Sequence, residues 1–231
     1  MNLLPNPDSP MVYRRTENVA RRLAARREAI VAAAQALAAE GGMTAVQIAP
    51  VAARAGIAAG TVYRYFPAKT ELVAAVMAAV SERELAAMRA AADAAPGPLS
   101  ALAATLTTFA GRALARRRLA WAAIAEPVDP DVDAVRLAYR QALAAELEKR
   151  LATALAAGHL PEQDVRLSAN ALMGALIEGL VGPLARDAAN TGAARAAVQA
   201  LTLFVLRAVG IVDARARGLV VQSAMPEPDE A

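Results

Sequence analysis

Apolar residues recur at helical spacing along the chain, and segments rich in β-formers are scarce. Ile30, Ala33 and Ala34 lie on one face of a helix expected from Thr16 to about Gly41. Val46, Ile48, Val51, Ala52 and Ala55 put small and apolar groups on one side of a short second helix. With Gln47 as its N-cap, Pro50 falls in the first turn, where a missing N–H costs little. Gly56 suits the sharp turn that follows. A third helix is expected from about Ala58 to Phe66. Val62 and Phe66, four apart, turn inward, while Thr61, Arg64 and Tyr65 fall elsewhere on the wheel and are free to meet a partner.

Downstream, Leu72, Val73, Val76, Met77, Val80 and Leu85 form the apolar side of a long helix over 68–95. At 1.5 Å per residue it spans about 40 Å, a rigid rod between an N-terminal head and a C-terminal body. Pro96-Gly97-Pro98 breaks the chain. Body helices are expected over 98–117, 119–125, 131–157, 161–186 and 192–209. Pro98, Pro130 and Pro161 mark three of the starts, the last two with acids in the first turn. The expected organisation is a disordered arm at 1–15, a helix-turn-helix head at 16–67, a helical regulatory and dimerisation body at 68–210, and a flexible tail at 211–231. The fold class is all-α.

The motif-bearing stretch is 42–72, GMTAVQIAPVAARAGIAAGTVYRYFPAKTEL. Two short helices joined by a tight glycine turn are the geometry that lays a recognition helix in the DNA major groove. The run Gly60-Thr61-Val62-Tyr63-Arg64-Tyr65-Phe66, the continuation Lys69-Thr70-Glu71-Leu72, and Glu40-Gly41-Gly42 upstream resemble the DNA-binding domain of TetR-type transcriptional regulators. The likeness covers about residues 26–75. It implies a homodimer on double-stranded operator DNA. Thr61 and Arg64 would reach base edges, and Gly60 would allow close backbone approach. Tyr63, Tyr65 and Lys69 would hold phosphates, with Gln47 at the start of the preceding helix as a further contact. Two positions depart from the family pattern. Ala58 stands where a Ser or Thr cap is usual, forgoing about 1 kcal/mol, and Gln47 stands where Thr is usual.

Charge fits that picture. Residues 1–69 hold nine Arg and Lys against four acids, while the whole chain of 231 residues carries +3, so the remainder is slightly acidic. A basic head on an acidic body is the electrostatic footprint of a DNA binder. Arginine pairs at 14–15, 21–22 and 26–27 either reach DNA or simply solvate a helix. Apolar residues make up 57% of the chain, much of it alanine, the best helix former. No run approaches the roughly 18 uncharged apolar residues of a membrane span. The start, MNLLPNPDSPMVYRR, places its basic residues after the apolar ones, unlike a secretion signal. With no cysteine, disulfides and thiolate metal sites are excluded. The expectation is a cytoplasmic protein without metal or cofactor.

The residues offer little for catalysis. His159 is the one histidine, beside Gly158 at a helix end, and no phosphate loop, nucleophile motif or metal set accompanies it. Glu126, Asp129, Asp131 and Asp133 read as helix capping rather than a cation site. A pocket for a small apolar effector is expected among Phe109, Trp121, Ile124, Leu137, Tyr139, Met173, Ile177 and Glu178. Trp121 and Tyr139 need polar partners if buried, and Glu178 interrupts an apolar run. The most apolar helices, 161–186 and 192–209, carry the expected dimer seam through Leu172, Leu176, Leu180, Leu201 and Val205. The reading is a repressor released from a palindromic operator by its effector. An apolar-ligand carrier with an incidental basic head, and a ligand-blind or activating regulator, remain as alternatives.

Overall fold

The structure, a computed structural model, describes residues 10–182, 185 and 190–223. Among these residues the chain is all-α, with ten α-helices, one 3₁₀ turn and no strand. Helix α1, Pro10–Gly41, is exposed on all sides from Glu17 to Ala29 and turns buried at Ile30. It starts at Pro10 rather than Thr16, since a proline at the first helical position is pre-set for the turn. Residues 1–9 of the expected disordered arm lie outside the described residues.

The head continues through the 3₁₀ turn Met43–Ala45, α2 (Ile48–Arg54) and α3 (Ala59–Tyr65). Helix α4, Lys69–Asp93, runs out of the head into the body and buries the face expected of it, extended by Met88 and Ala92. The body comprises α5 (Pro98–Ala115), α6 (Arg117–Ile124), α7 (Pro130–Ala156), α8 (Val165–Leu180), α9 (Thr191–Ala208) and α10 (Asp213–Gln222). Helix α5 is the central element, packed against α4, α7 and α9. Leu102, Ala103, Leu106 and Ala110 along it are wholly buried. No helix of the described residues is long and apolar enough to cross a membrane.

Two expectations change. Helix α8 begins at Val165, not Pro161, because the Asp164 carboxylate accepts the Arg166 and Leu167 N–H groups at 3.0 Å and caps it there. The segment taken as a flexible tail contains α10. Ile211, Ala216, Leu219 and Val220 are buried, and Asp213 pairs with both Arg207 and Arg217, which pins α10 to the end of α9.

An ionic clamp joins α4 to α7. The Glu146 carboxylate, 4% exposed, accepts Arg89 Nε at 3.0 Å and Arg150 Nε at 2.8 Å. Burial pushes its pKa up, but the hydrogen bonds and charges of Arg89 and Arg150 outweigh that and hold it below the ordinary value of 4.5. A depressed folded pKa stabilises above the unfolded value and is lost as pH falls through the folded one. We expect Glu146→Gln to cost about 3 kcal/mol at neutral pH, by leaving two arginines without their carboxylate. The variant should also lose less stability on acidification below pH 4.5 than the wild type does. Urea unfolding of both proteins from pH 7 to pH 3 measures each effect.

Candidate nucleic-acid interface and effector cavity

The reading head is built on a turn and a few buried anchors. After α2 the Ile57 N–H bonds Ala52 O at 3.0 Å and the Gly56 N–H bonds Ala53 O at 3.2 Å. This closing pattern needs a left-handed residue, and Gly56 supplies it at φ 65°. Val62 and Phe66 are buried, and Arg27 of α1 lies over the Phe66 ring, 4.9 Å from its centre. Arg54 donates twice to Glu40, at 2.6 and 2.9 Å, tying α2 to α1. That pairing raises the Arg54 pKa and occupies its guanidinium.

With those anchors inward, α3 turns Gly60, Tyr63 and Arg64 to solvent and leaves Thr61 and Tyr65 half-buried. A Cβ on Gly60 would meet nothing within 4 Å, so the backbone there is open to close approach. Lys69 is exposed at the first position of α4. Neither Arg64 nor Lys69 forms an ion pair among the described residues. Gln47 is exposed, but its amide donates to Thr44 O at 3.0 Å, which turns it toward the preceding 3₁₀ turn.

In the body, α4, α5, α6 and α7 enclose a cavity of about 20 Å³, room for one water. Phe109, Ile124 and Tyr139 line it together. Its floor is polar. Arg112 donates from Nε to Glu84 Oε2 at 2.7 Å and from Nη2 to Oε1 at 3.0 Å, both side chains largely buried. Burial, and then the Glu84 charge, push the Tyr139 hydroxyl pKa well up against the opposing pull of Arg112. Tyr139 is therefore a neutral donor at any physiological pH.

The other expected pocket residues lie apart from the cavity. Leu137 is 54% exposed on the outer side of α7. Met173 and Ile177 are buried along α8, Trp121 packs half-buried against the core, and Glu178 is exposed. The cavity instead recruits Arg83, Glu84, Arg112 and Arg116, which sequence reasoning missed. The available signal was Arg112, the one charged residue in α5.

The expected dimer seam also turns inward. Leu172, Leu176, Leu180 and Val205 are each under 5% exposed within the protomer. Leu201 is half-buried, its methyls 3.2 Å from where a Cβ on Gly179 would stand. The outward faces of α8 and α9 carry Leu167 and Phe204, 66% and 56% exposed, among small residues such as Ala171, Gly174 and Ala200.

The sequence pattern of bacterial regulatory proteins of the tetR family matches residues 30–76, the stretch that forms this head. The tetR-family pattern thus covers the DNA-binding head, about a fifth of the chain. It is 50% identical over 58 residues to the HTH-type transcriptional repressor KstR of Rhodococcus jostii, covering 25% of this chain and 27% of that one. The KstR of Mycobacterium tuberculosis is 48% identical over 52 residues, 22% of this chain and 24% of its own. The match thus spans about a quarter of these relatives' length. Two solved structures share the fold over more of the chain. RolR in complex with resorcinol superposes with a TM-score of 0.62 at 24% identity, covering 90% of this chain and 98% of that one. FadR from Bacillus subtilis in complex with stearoyl-CoA gives 0.64 at 19% identity, covering 75% and 96%.

Beside the continuous α4, the head is tied to the body through α6. The Glu126 carboxylate, just past the end of α6, accepts the Met43 N–H at 3.1 Å. Arg118 of α6 donates to Gly41 O at 3.1 Å. Gly42 sits between them at φ 78°, and a Cβ there would stand 2.6 Å from a Glu126 oxygen and 3.0 Å from Arg118 Nη2. Glu126, read from sequence as part of a capping cluster, is a tie to the head.

The N-cap of α3 is Ala58, in an extended conformation and without a side-chain bond to the helix. A serine hydroxyl at that position would accept a free N–H of the first turn. We expect Ala58→Ser to stabilise the protein by about 0.5–2 kcal/mol and to tighten operator binding. Thermal unfolding and operator titration on one sample check both. A stability gain with weaker binding would show that residue 58 lies against the DNA backbone.

Proposed function

We propose that this protein is a homodimeric transcriptional repressor that binds a palindromic operator and leaves it when a small effector opens the cavity of the body. One arrangement carries the reading. A seven-residue helix, anchored from behind, presents Gly60, Tyr63 and Arg64 to solvent beside the exposed Lys69 at the start of α4. Thr61 and Arg64 are the base-reading candidates, and Tyr63, Tyr65 and Lys69 the phosphate-holding ones. The repressor name of KstR and the ligand-bound states of RolR and FadR support repression and effector control. Work on DNA implies a cytoplasmic place and no catalysis of its own.

The release mechanism follows from α6. This helix lines the cavity through Leu119 and Ile124 and grips the head through Arg118 and Glu126. A cavity that fits one water excludes an effector, so binding must displace α6 or a neighbour. Displacement of α6 pulls on Gly41–Met43 and tilts the head. Two recognition helices serve a palindrome only about one DNA turn apart, roughly 34–36 Å, so a small tilt breaks the fit.

Sequencing the DNA fragments the protein retains, followed by titration across salt, tests the reading. Operator affinity should fall steeply with salt through counterion release, and Lys69→Ala should lower the slope by about one unit while weakening all sequences alike. An apolar-ligand carrier would show neither retention nor a salt slope.

For the dimer, the exposed faces of α8 and α9 are the fitting seam, since exposed large apolar residues amid small ones suit a self-complementary contact. We expect Phe204→Arg to give a folded monomer with poor operator affinity. A charge at Leu180 would strike the protomer's own core instead. Sedimentation of Phe204→Arg as an intact dimer would remove this face from the interface.

A further inference from the structure

The cavity has a charge imbalance that an apolar effector leaves unaddressed. Three guanidiniums line it, Arg83, Arg112 and Arg116, against the single carboxylate of Glu84. Arg112 is committed to Glu84. Arg83 donates to the neutral Gln35 amide oxygen at 2.8 Å. Arg116 is half-buried at the corner between α5 and α6, and among the described residues it forms no ion pair. Tyr139 lines the same space.

Arg116 and Leu119 also belong to a second opening. A cleft of about 690 Å³ lies between α1 and the α5–α6 corner, with Ala32, Gln35, Ala36, Ala39 and the Arg54-paired Glu40 on one wall and the arginine run ending at Arg118 on the other. Ligand pockets run to about 300–1,000 Å³, so the cleft has the size that the inner cavity lacks. The two side chains common to both walls, Arg116 and Leu119, stand between them.

We propose that cleft and cavity are two halves of one effector site, and that its ligand is a small organic carboxylate with an apolar body. The carboxylate passes Leu119 and pairs with Arg116 and the Tyr139 hydroxyl. The body lies along the alanine wall of the cleft. Planar guanidinium recognises carboxylate with charge-assisted bonds, and a partly buried, unbalanced arginine gains most from such a partner. A neutral ligand of the same shape would leave that charge uncompensated. The assignment rests on reading the body cavity as the effector site.

The experiment uses the full chain and acid–amide pairs: benzoate, phenylacetate, 4-phenylbutyrate, octanoate and dodecanoate, each with its primary amide. Calorimetry gives affinity, the fluorescence of Trp121, the chain's one tryptophan, reports on α6, and retained DNA gives operator release. We expect one or more acids to bind, shift Trp121 emission and release DNA, with the matched amide at least tenfold weaker. Arg116→Gln should remove the preference for acid over amide. Tyr139→Phe, which keeps the ring, should weaken the acid several-fold and leave the amide nearly unchanged. Amides binding as well as acids, acid binding indifferent to both substitutions, or no binding by any acid would overturn the proposal. Loss of the acid preference with DNA still retained would sink the ligand class alone. Acid binding at Arg116 by a protein that retains no DNA would sink the regulator reading and leave the site standing.

Discussion

Two helices of seven residues cannot hold themselves together in water, because the cost of nucleating a helix exceeds what so few hydrogen bonds return. Helices α2 and α3 therefore exist only as guests of α1 and α4. Val51, Ala52, Val62 and Phe66 are buried in the same continuous core as Ile30 and Ala34 of α1 and Leu72 and Val73 of α4. That dependence makes the orientation of the recognition helix a property of its hosts. Whatever moves α1 or α4 moves α3 with it.

The hosts are held in turn by two kinds of contact. Apolar packing joins α4 to α5 and α7 over its length, and its strength varies slowly with small displacements. The ties at Gly41–Met43 are directional. The Glu126 and Arg118 bonds to the backbone fail over a fraction of an ångström. Gly42 carries no side chain because Glu126 and Arg118 occupy the place of its Cβ. The joint is short, polar and sterically closed, so it transmits a shift of α6 rather than absorbing it.

Much of this was legible in the sequence wherever local chemistry had a single interpretation. Pro50 in a first turn and Gly56 in a turn each restrict the backbone, and α2 and the turn after it obey; the cap at Ala58, implied by the family resemblance, is there as well. The apolar side of α4 was equally plain. Periodicity failed where it says that a residue is apolar but not which neighbour covers it. Leu172, Leu176, Leu180 and Val205 are apolar positions of α8 and α9 that the protomer's own core takes, leaving Leu167 and Phe204 outside. Helix α10 was hidden because it holds few apolar residues among Asp213, Arg215 and Arg217, and only its contact with α9 and α5 makes those few sufficient. The polar floor of the cavity was invisible for another reason. Glu84 and Arg112 are 28 residues apart and meet only through the packing of α4 on α5.

The closed cavity bears on how an effector gains control. A ligand shifts a two-state equilibrium only by its difference in affinity between the states, and moving it from 1:99 to 99:1 takes a ratio of about 10⁴. Sites that are open in both states must build that ratio from small differences in contact. A carboxylate subsite with room for one water in one state and for the ligand's head in the other would obtain much of that ratio by exclusion, even with the cleft open in both. The cost of such a proposed site would be reduced apparent affinity, because binding would first have to open the α5–α6 corner. That corner is a one-residue kink, with Arg116 at φ −125° and ψ 45° serving as the end of one helix and the start of the next. The backbone kink at Arg116 thus lies at the wall shared by cleft and cavity, two residues before Arg118, which grips the head.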